Sequence, residues 1–144
     1  MIDGMFEVGA MPALQRMVQF TGQRHKLITN NIANLSTPNF TPRDLDPASF
    51  QEALGEAIDR RREGPGVFNA PLQPRDTARV RFRDGGLSVR AETPGRNILF
   101  HDRNNRSLEH QMQSLAENAM AHNGAMEMLK NQFDMLHSTI REQA

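Results

Sequence analysis

Between Leu108 and Ile140 the chain places an apolar or weakly polar residue at every third or fourth position without a break: Leu108, Met112, Leu115, Ala119, His122, Met126, Leu129, Phe133, Leu136 and Ile140. The alternation of fours and threes is the seam of a coiled-coil helix. Glu109, Gln113, Glu117, Glu127, Asn131 and Asp134 fill the positions between, so the rest of the circumference is solvated. A helix from Asp102 to Glu142 would be on the order of 60 Å long. A rod of that length with a narrow apolar face cannot cover its own stripe, and the rest of the chain must supply a partner.

The partner stripe lies at the other end. Met11, Leu14, Val18, Thr21, His25, Ile28, Ile32 and Leu35 repeat the same spacing, which predicts an amphipathic helix over Pro12 to Leu35. Both seams weaken halfway, at Thr21 and His25 and at Ala119 and His122. Antiparallel packing of the two helices would cover about half of the longer stripe, since a helix of about 25 residues spans about 38 Å. The remainder calls for a neighbouring molecule.

Pro38 and Pro42 end the first helix by forcing Thr37 and Thr41 into extended backbone. Asn39, between them, is suited to a left-handed turn. A short helix follows from Asp46 to Arg62, with Asp46 as N-cap, Pro47 at the first position and Phe50, Leu54 and Ile58 on one face. Residues 64–77, rich in Pro and Gly, read as an irregular linker. From Arg79 to Ala91 the pattern alternates. Val80, Phe82, Leu87, Val89 and Ala91 share one side around Asp84-Gly85-Gly86, which predicts a β-hairpin. Two strands alone are marginal in water, so this hairpin needs a surface to lean on.

The expected fold is therefore mainly α and elongated. N- and C-terminal amphipathic helices form a coiled-coil-like pair around a small irregular, β-hairpin-bearing centre. Three stretches follow: 1–46, a helix and turn; 47–101, a variable centre; and 102–144, the long heptad helix.

Several function classes find no footing in these residues. There is no cysteine, hence no disulfide framework, thiolate metal site or thiol nucleophile. His110, His122 and His137 have no metal-ligand spacing, and no Gly-x-Ser-x-Gly, P-loop or Gly-x-Gly-x-x-Gly occurs. We expect no enzyme activity, cofactor, metal or small-molecule substrate. Arg75, Arg79, Arg81, Arg83, Arg90 and Arg96 make the centre locally basic. Asp76, Asp84 and Glu92 interrupt that patch and Phe82 is its only aromatic, a poor match to a nucleic-acid surface. No nucleic-acid partner is expected; a helical adaptor binding nucleic acid through this hairpin is the competing reading. The N-terminal residues lack the charge and apolar core of a cleaved signal peptide, and no stretch approaches the roughly 18 apolar residues of a membrane span.

The run Ile28-Thr-Asn-Asn-Ile-Ala-Asn-Leu-Ser-Thr-Pro-Asn-Phe resembles the N-terminal signature of the flagellar rod, hook and related axial proteins, N-I-A-N-x-x-T-P-G-[YF]. Asn31, Ile32, Ala33, Asn34, Thr37, Pro38 and Phe40 fit it, with Asn39 in the place of the glycine. Arg43-Asp44-Leu45-Asp46 resembles the R-D-[IL]-D run of the family's proximal-rod members. Leu108 to Asn118 resembles their C-terminal helix with its L-A-x-N core.

This resemblance implies a structural subunit of the flagellar basal-body rod that connects the membrane ring to the distal rod and transmits torque. It implies other rod subunits and membrane-ring or adaptor proteins as partners. It also implies export by the flagellar type III apparatus without signal cleavage, and residence in the basal body within the periplasm. The expected assembly interface comprises Leu14, Val18, Ile28, Asn31, Ile32, Asn34, Leu35, Pro38 and Phe40 at one end. At the other it comprises Leu108, Met112, Leu115, Asn118, Met126, Leu129, Phe133, Leu136 and Ile140. Asn30, Asn31 and Asn34 are candidates for fixing register, with Asn118 as their candidate partner, and Gly124 marks either a kink or a close backbone approach.

Overall fold

The computed structural model describes residues 9–64, 72, 74–83, 86–93 and 108–142. Three helices and one hairpin make up its regular structure: α1 (Met11–Ala33), α2 (Pro47–Glu63), β1 (Val80–Arg83), β2 (Gly86–Val89) and α3 (Leu108–Glu142). The expected start of the last helix at Asp102, most of the linker, Arg96 and the turn residues Asp84 and Gly85 lie outside the described residues.

Pro12 stands in the first turn of α1, where its missing N–H removes no helical bond. The helix stops at Asn34, whose amide N–H bonds to the carbonyls of Asn30 and Asn31. The Asn34 side chain folds back onto Asn30 as well, donating to its backbone oxygen at 2.9 Å. Thr37 donates to Asn34 through its backbone N–H and its hydroxyl, closing the turn. Asn39 has φ 60°, the left-handed conformation expected of it.

The next four residues tie this turn to everything else. Arg43 offers its backbone N–H and carbonyl to the side chain of Asn31, at 3.1 and 2.7 Å. Asp44 takes a two-pronged ion pair from Arg24, at 2.9 and 2.7 Å, and exchanges backbone bonds with Glu92. Leu45 is buried in the core. Asp46 caps α2, accepting from the Ala48 N–H at 3.0 Å and the Ser49 hydroxyl at 2.6 Å.

The hairpin is antiparallel, with Val80 opposite Val89, Arg81 opposite Ser88, Phe82 opposite Leu87 and Arg83 opposite Gly86. Its apolar side packs inward, as the alternation requires. Phe20, Leu45, Phe50, Leu54, Val80 and Leu87 form one buried cluster joining α1, α2 and the hairpin. The rings of Phe20 and Phe50 stack with centroids 4.1 Å apart, and Phe82 flanks Phe50 at 6.5 Å. From the α1 side, Arg16 donates to the carbonyls of Gly86 and Arg83, and Gln23 donates to that of Leu87. The surface the hairpin leans on therefore belongs to its own chain.

α1 and α3 pair antiparallel: Asn31 meets Gln111 near one end, while Thr21 meets Asn118 and His122 further along. α3 has 35 residues against 23 in α1, so it overhangs its partner at its C-terminal end by on the order of 15 Å.

Candidate assembly surface

The contact between α1 and α3 is polar in the first half of α3. Gln111, Ser114 and Asn118 are buried there, with His122 half-buried and Ala125 buried beyond them. Asn118, 2% exposed, donates from Nδ2 to the Thr21 backbone oxygen at 2.9 Å. The Thr21 hydroxyl and His122 Nδ1 are 2.8 Å apart, and Asn31 donates to Gln111 Oε1 at 3.4 Å. Low-dielectric surroundings make such groups costly to leave unpaired, so each bond disfavours a slipped register.

The first helix was expected to cover about half of the long stripe; the residues turned toward α1 belong to a neighbouring series, and the stripe lies at the edge of the contact. Leu108, Met112, Met126 and Ile140 remain 49%, 51%, 46% and 52% exposed. Leu115, Ala119, His122, Leu129, Phe133 and Leu136 are half-buried. The reason is a constant offset around the helix. Gln111, Asn118 and Ala125 recur every seven residues and face α1, together with Ser114. Met112, Ala119 and Met126 have the same period but stand one residue further on, about 100° around the helix. Met112 and Met126 therefore sit on the flank of α3.

The other expected interface residues divide by depth. Leu14, Ile28 and Asn31 are buried within the chain. Val18, Ile32, Asn34, Leu35 and Phe40 are half-buried, and Pro38 is exposed. Asn118 bonds to Thr21 and not to the asparagines of α1; Gln111 is the side chain that reaches Asn31. Gln111 and Ser114 were hidden among the solvated positions. Their signal was a second three-four series, 111, 114, 118, 122 and 125, that contains no Asp, Glu, Lys or Arg. A Cβ at Gly124 would meet nothing within 4 Å, so within this chain the glycine serves neither a close approach nor a break in α3.

A groove of about 380 Å³ lies between α2 and the helix pair. Met17, Phe50, Leu54 and Ile58 contribute its apolar walls and Ala121 its α3 side. Met128 and Met135, 60% and 62% exposed, continue that side of α3 at seven-residue intervals. α3 thus carries apolar flanks on two sides.

The hairpin's outer face is basic. Arg79 is engaged, 2.7 Å from Asp46 and 3.2 Å from Glu92, while Arg75, Arg81, Arg83 and Arg90 are exposed. The Ser49 hydroxyl holds the Asp46 carboxyl below its ordinary range, helped by backbone N–H groups and Arg79 against the opposing effect of burial. Among the described residues no three metal-ligating side chains gather, and no helix is long and apolar enough to cross a membrane.

Paired terminal helices, a braced centre and apolar flanks turned outward are an architecture suited to packing against neighbouring molecules. No family model matches the chain. Its relatives make the likeness particular. It is 24% identical over 132 residues to the flagellar basal body rod protein FlgB of Bacillus subtilis (strain 168), spanning 92% of this chain and 93% of that protein. It is 23% identical to FlgB of Yersinia enterocolitica over 135 residues, 93% and 95% of the two chains. With FlgB of Aquifex aeolicus (strain VF5) it shares 26% over 134 residues, 90% and 91%. The similarity runs over nine-tenths of the chain and supports a structural subunit of the flagellar basal body rod.

Proposed function

We propose that the chain is a subunit of the proximal part of the bacterial flagellar rod. There it connects the membrane ring to the distal rod and transmits torque by helical self- and hetero-assembly. The observation that carries this reading is the division of α3 into a polar side against α1 and apolar flanks left outside. Flanks on two sides accommodate two neighbours, and a head-to-tail contact that does not close generates a helical array. The nine methionines suit contacts with non-identical partners, since Met side chains repack easily.

The three stretches of the chain then divide the work. Residues 1–46 and 102–144 provide the assembly helices, and 47–101 braces them. A twisting load shears α1 along α3; the Asn118, His122 and Gln111 bonds resist that sliding, and the Arg24–Asp44 pair anchors the signature turn. The partners of this reading are other rod subunits, membrane-ring and adaptor proteins, and the type III export apparatus. The destination is the basal body in the periplasm, reached without signal cleavage.

Mass spectrometry of hook and basal-body complexes purified from the source organism tests the proposal. Peptides of this chain at fixed stoichiometry are expected. Their absence from complexes that contain the other rod proteins would overturn it.

A further inference from the structure

One flank of α3 has an internal symmetry. At about 100° per residue, Ala119 lies roughly a quarter turn from the Asn118 face, and Leu108, Met112 and Met126 fall within about 20° of Ala119. These three are half-exposed within the chain, at 49%, 51% and 46%. Met112 precedes Ala119 by seven residues and Met126 follows it by seven; Leu108 precedes it by eleven and Lys130 follows by eleven. Glu109 borders the flank near its start. Among the described residues neither Glu109 nor Lys130 has an ion pair or hydrogen bond.

We propose that the free chain forms a two-fold dimer in which this flank packs antiparallel against the same flank of a second copy. Met112 then lies against the partner's Met126, and the two Ala119 side chains meet on the axis, where their small size lets the helices approach closely. Leu108 packs against the stem of the partner's Lys130, whose ammonium reaches Glu109. The pair is made twice by symmetry. Charge selects this orientation, because parallel packing would set Glu109 against Glu109 and Lys130 against Lys130.

The contact is isologous and closes on itself, whereas rod growth needs an open, head-to-tail contact. Dimerisation therefore withholds an assembly flank from growth, and the dimer must open before a subunit is incorporated. This concerns the unassembled chain and stands independently of where the chain finally resides.

The full chain contains no cysteine, so Ala119→Cys introduces a single thiol on the proposed axis. Mild oxidation should give a covalent dimer in high yield, while Ser88→Cys on the hairpin's outer face gives none. Sedimentation velocity of the unmodified chain should show a reversible dimer. A monomer at high micromolar concentration, or an open series of oligomers, overturns the proposal. Glu109→Lys should weaken the dimer on the order of tenfold, since two exposed pairs become repulsive. Adding Lys130→Glu should restore it. Failure of the double exchange to restore association also overturns the proposal, and circular dichroism confirms that these exposed variants stay folded. Presence or absence in basal bodies reports separately on the rod reading.

Discussion

The Asn118 side-chain amide donates to the backbone oxygen of Thr21 at 2.9 Å, across 97 residues of chain, and both residues are buried. This bond sits in the middle of the α1–α3 contact, one helical turn from the Thr21–His122 bond. It shows that the pairing of the terminal helices rests on placed polar groups as much as on apolar contact.

Asn118→Ala should accordingly destabilise the chain by about 1–2 kcal/mol, the cost of losing a buried hydrogen bond. Asn118→Asp should cost more, because a carboxylate would face a carbonyl oxygen. Urea unfolding followed by circular dichroism measures both. Wild-type stability in the aspartate variant would refute the role assigned to this amide.

Asp46 predicts a pH dependence. Its carboxyl is held below the ordinary value of 3.8 in the folded chain, chiefly by the Ser49 hydroxyl. A depressed folded pKa adds stability that is complete above the unfolded value and is lost as pH falls through the folded one. Thermal stability should therefore fall below about pH 4, and Asp46→Asn should flatten that part of the profile. Asp46→Ala should cost about 1 kcal/mol at neutral pH as a lost N-cap.

Gly124→Ala meets no neighbour within the chain. The substitution should raise the stability of the free chain by up to about 1 kcal/mol, seen as a melting temperature a few degrees higher. If basal-body incorporation nevertheless falls, a neighbouring subunit approaches the helix there.

Met112 is half-exposed, so Met112→Asp should change the stability of the free chain by no more than about 0.5 kcal/mol. It should abolish rod incorporation and motility, because the charge would be buried at a contact between copies. A motile strain carrying this variant would remove the flank from the assembly surface.

The elements themselves were legible in the residue order. The three-four spacing marked α1 to within two residues of its observed end. Asp46 and Pro47 announced the start of α2, and alternation predicted the hairpin with its apolar side. The left-handed turn at Asn39 followed from the ease with which asparagine adopts positive φ. The anchoring of Asp44 to Arg24 was not legible, because it joins residues on separate elements whose distance only the packed chain sets. The same holds for Arg16 and Gln23, whose partners are backbone carbonyls and leave no mark in the sequence.

Residue order set the local properties: which stretches form helices, where they stop, and that α3 bears more apolar surface than one partner covers. Those properties follow from periodicity, capping and backbone preference within a few residues. The rotation of α3 about its own axis was set by packing against α1. The Met112, Ala119, Met126 series and the Gln111, Asn118, Ala125 series share one seven-residue period and stand about 100° apart around the helix, so periodicity does not choose between them. The buried amides of Asn31, Gln111 and Asn118 settled which one faces α1. They had to meet partners across the α1–α3 contact, which left Leu108, Met112 and Met126 outside.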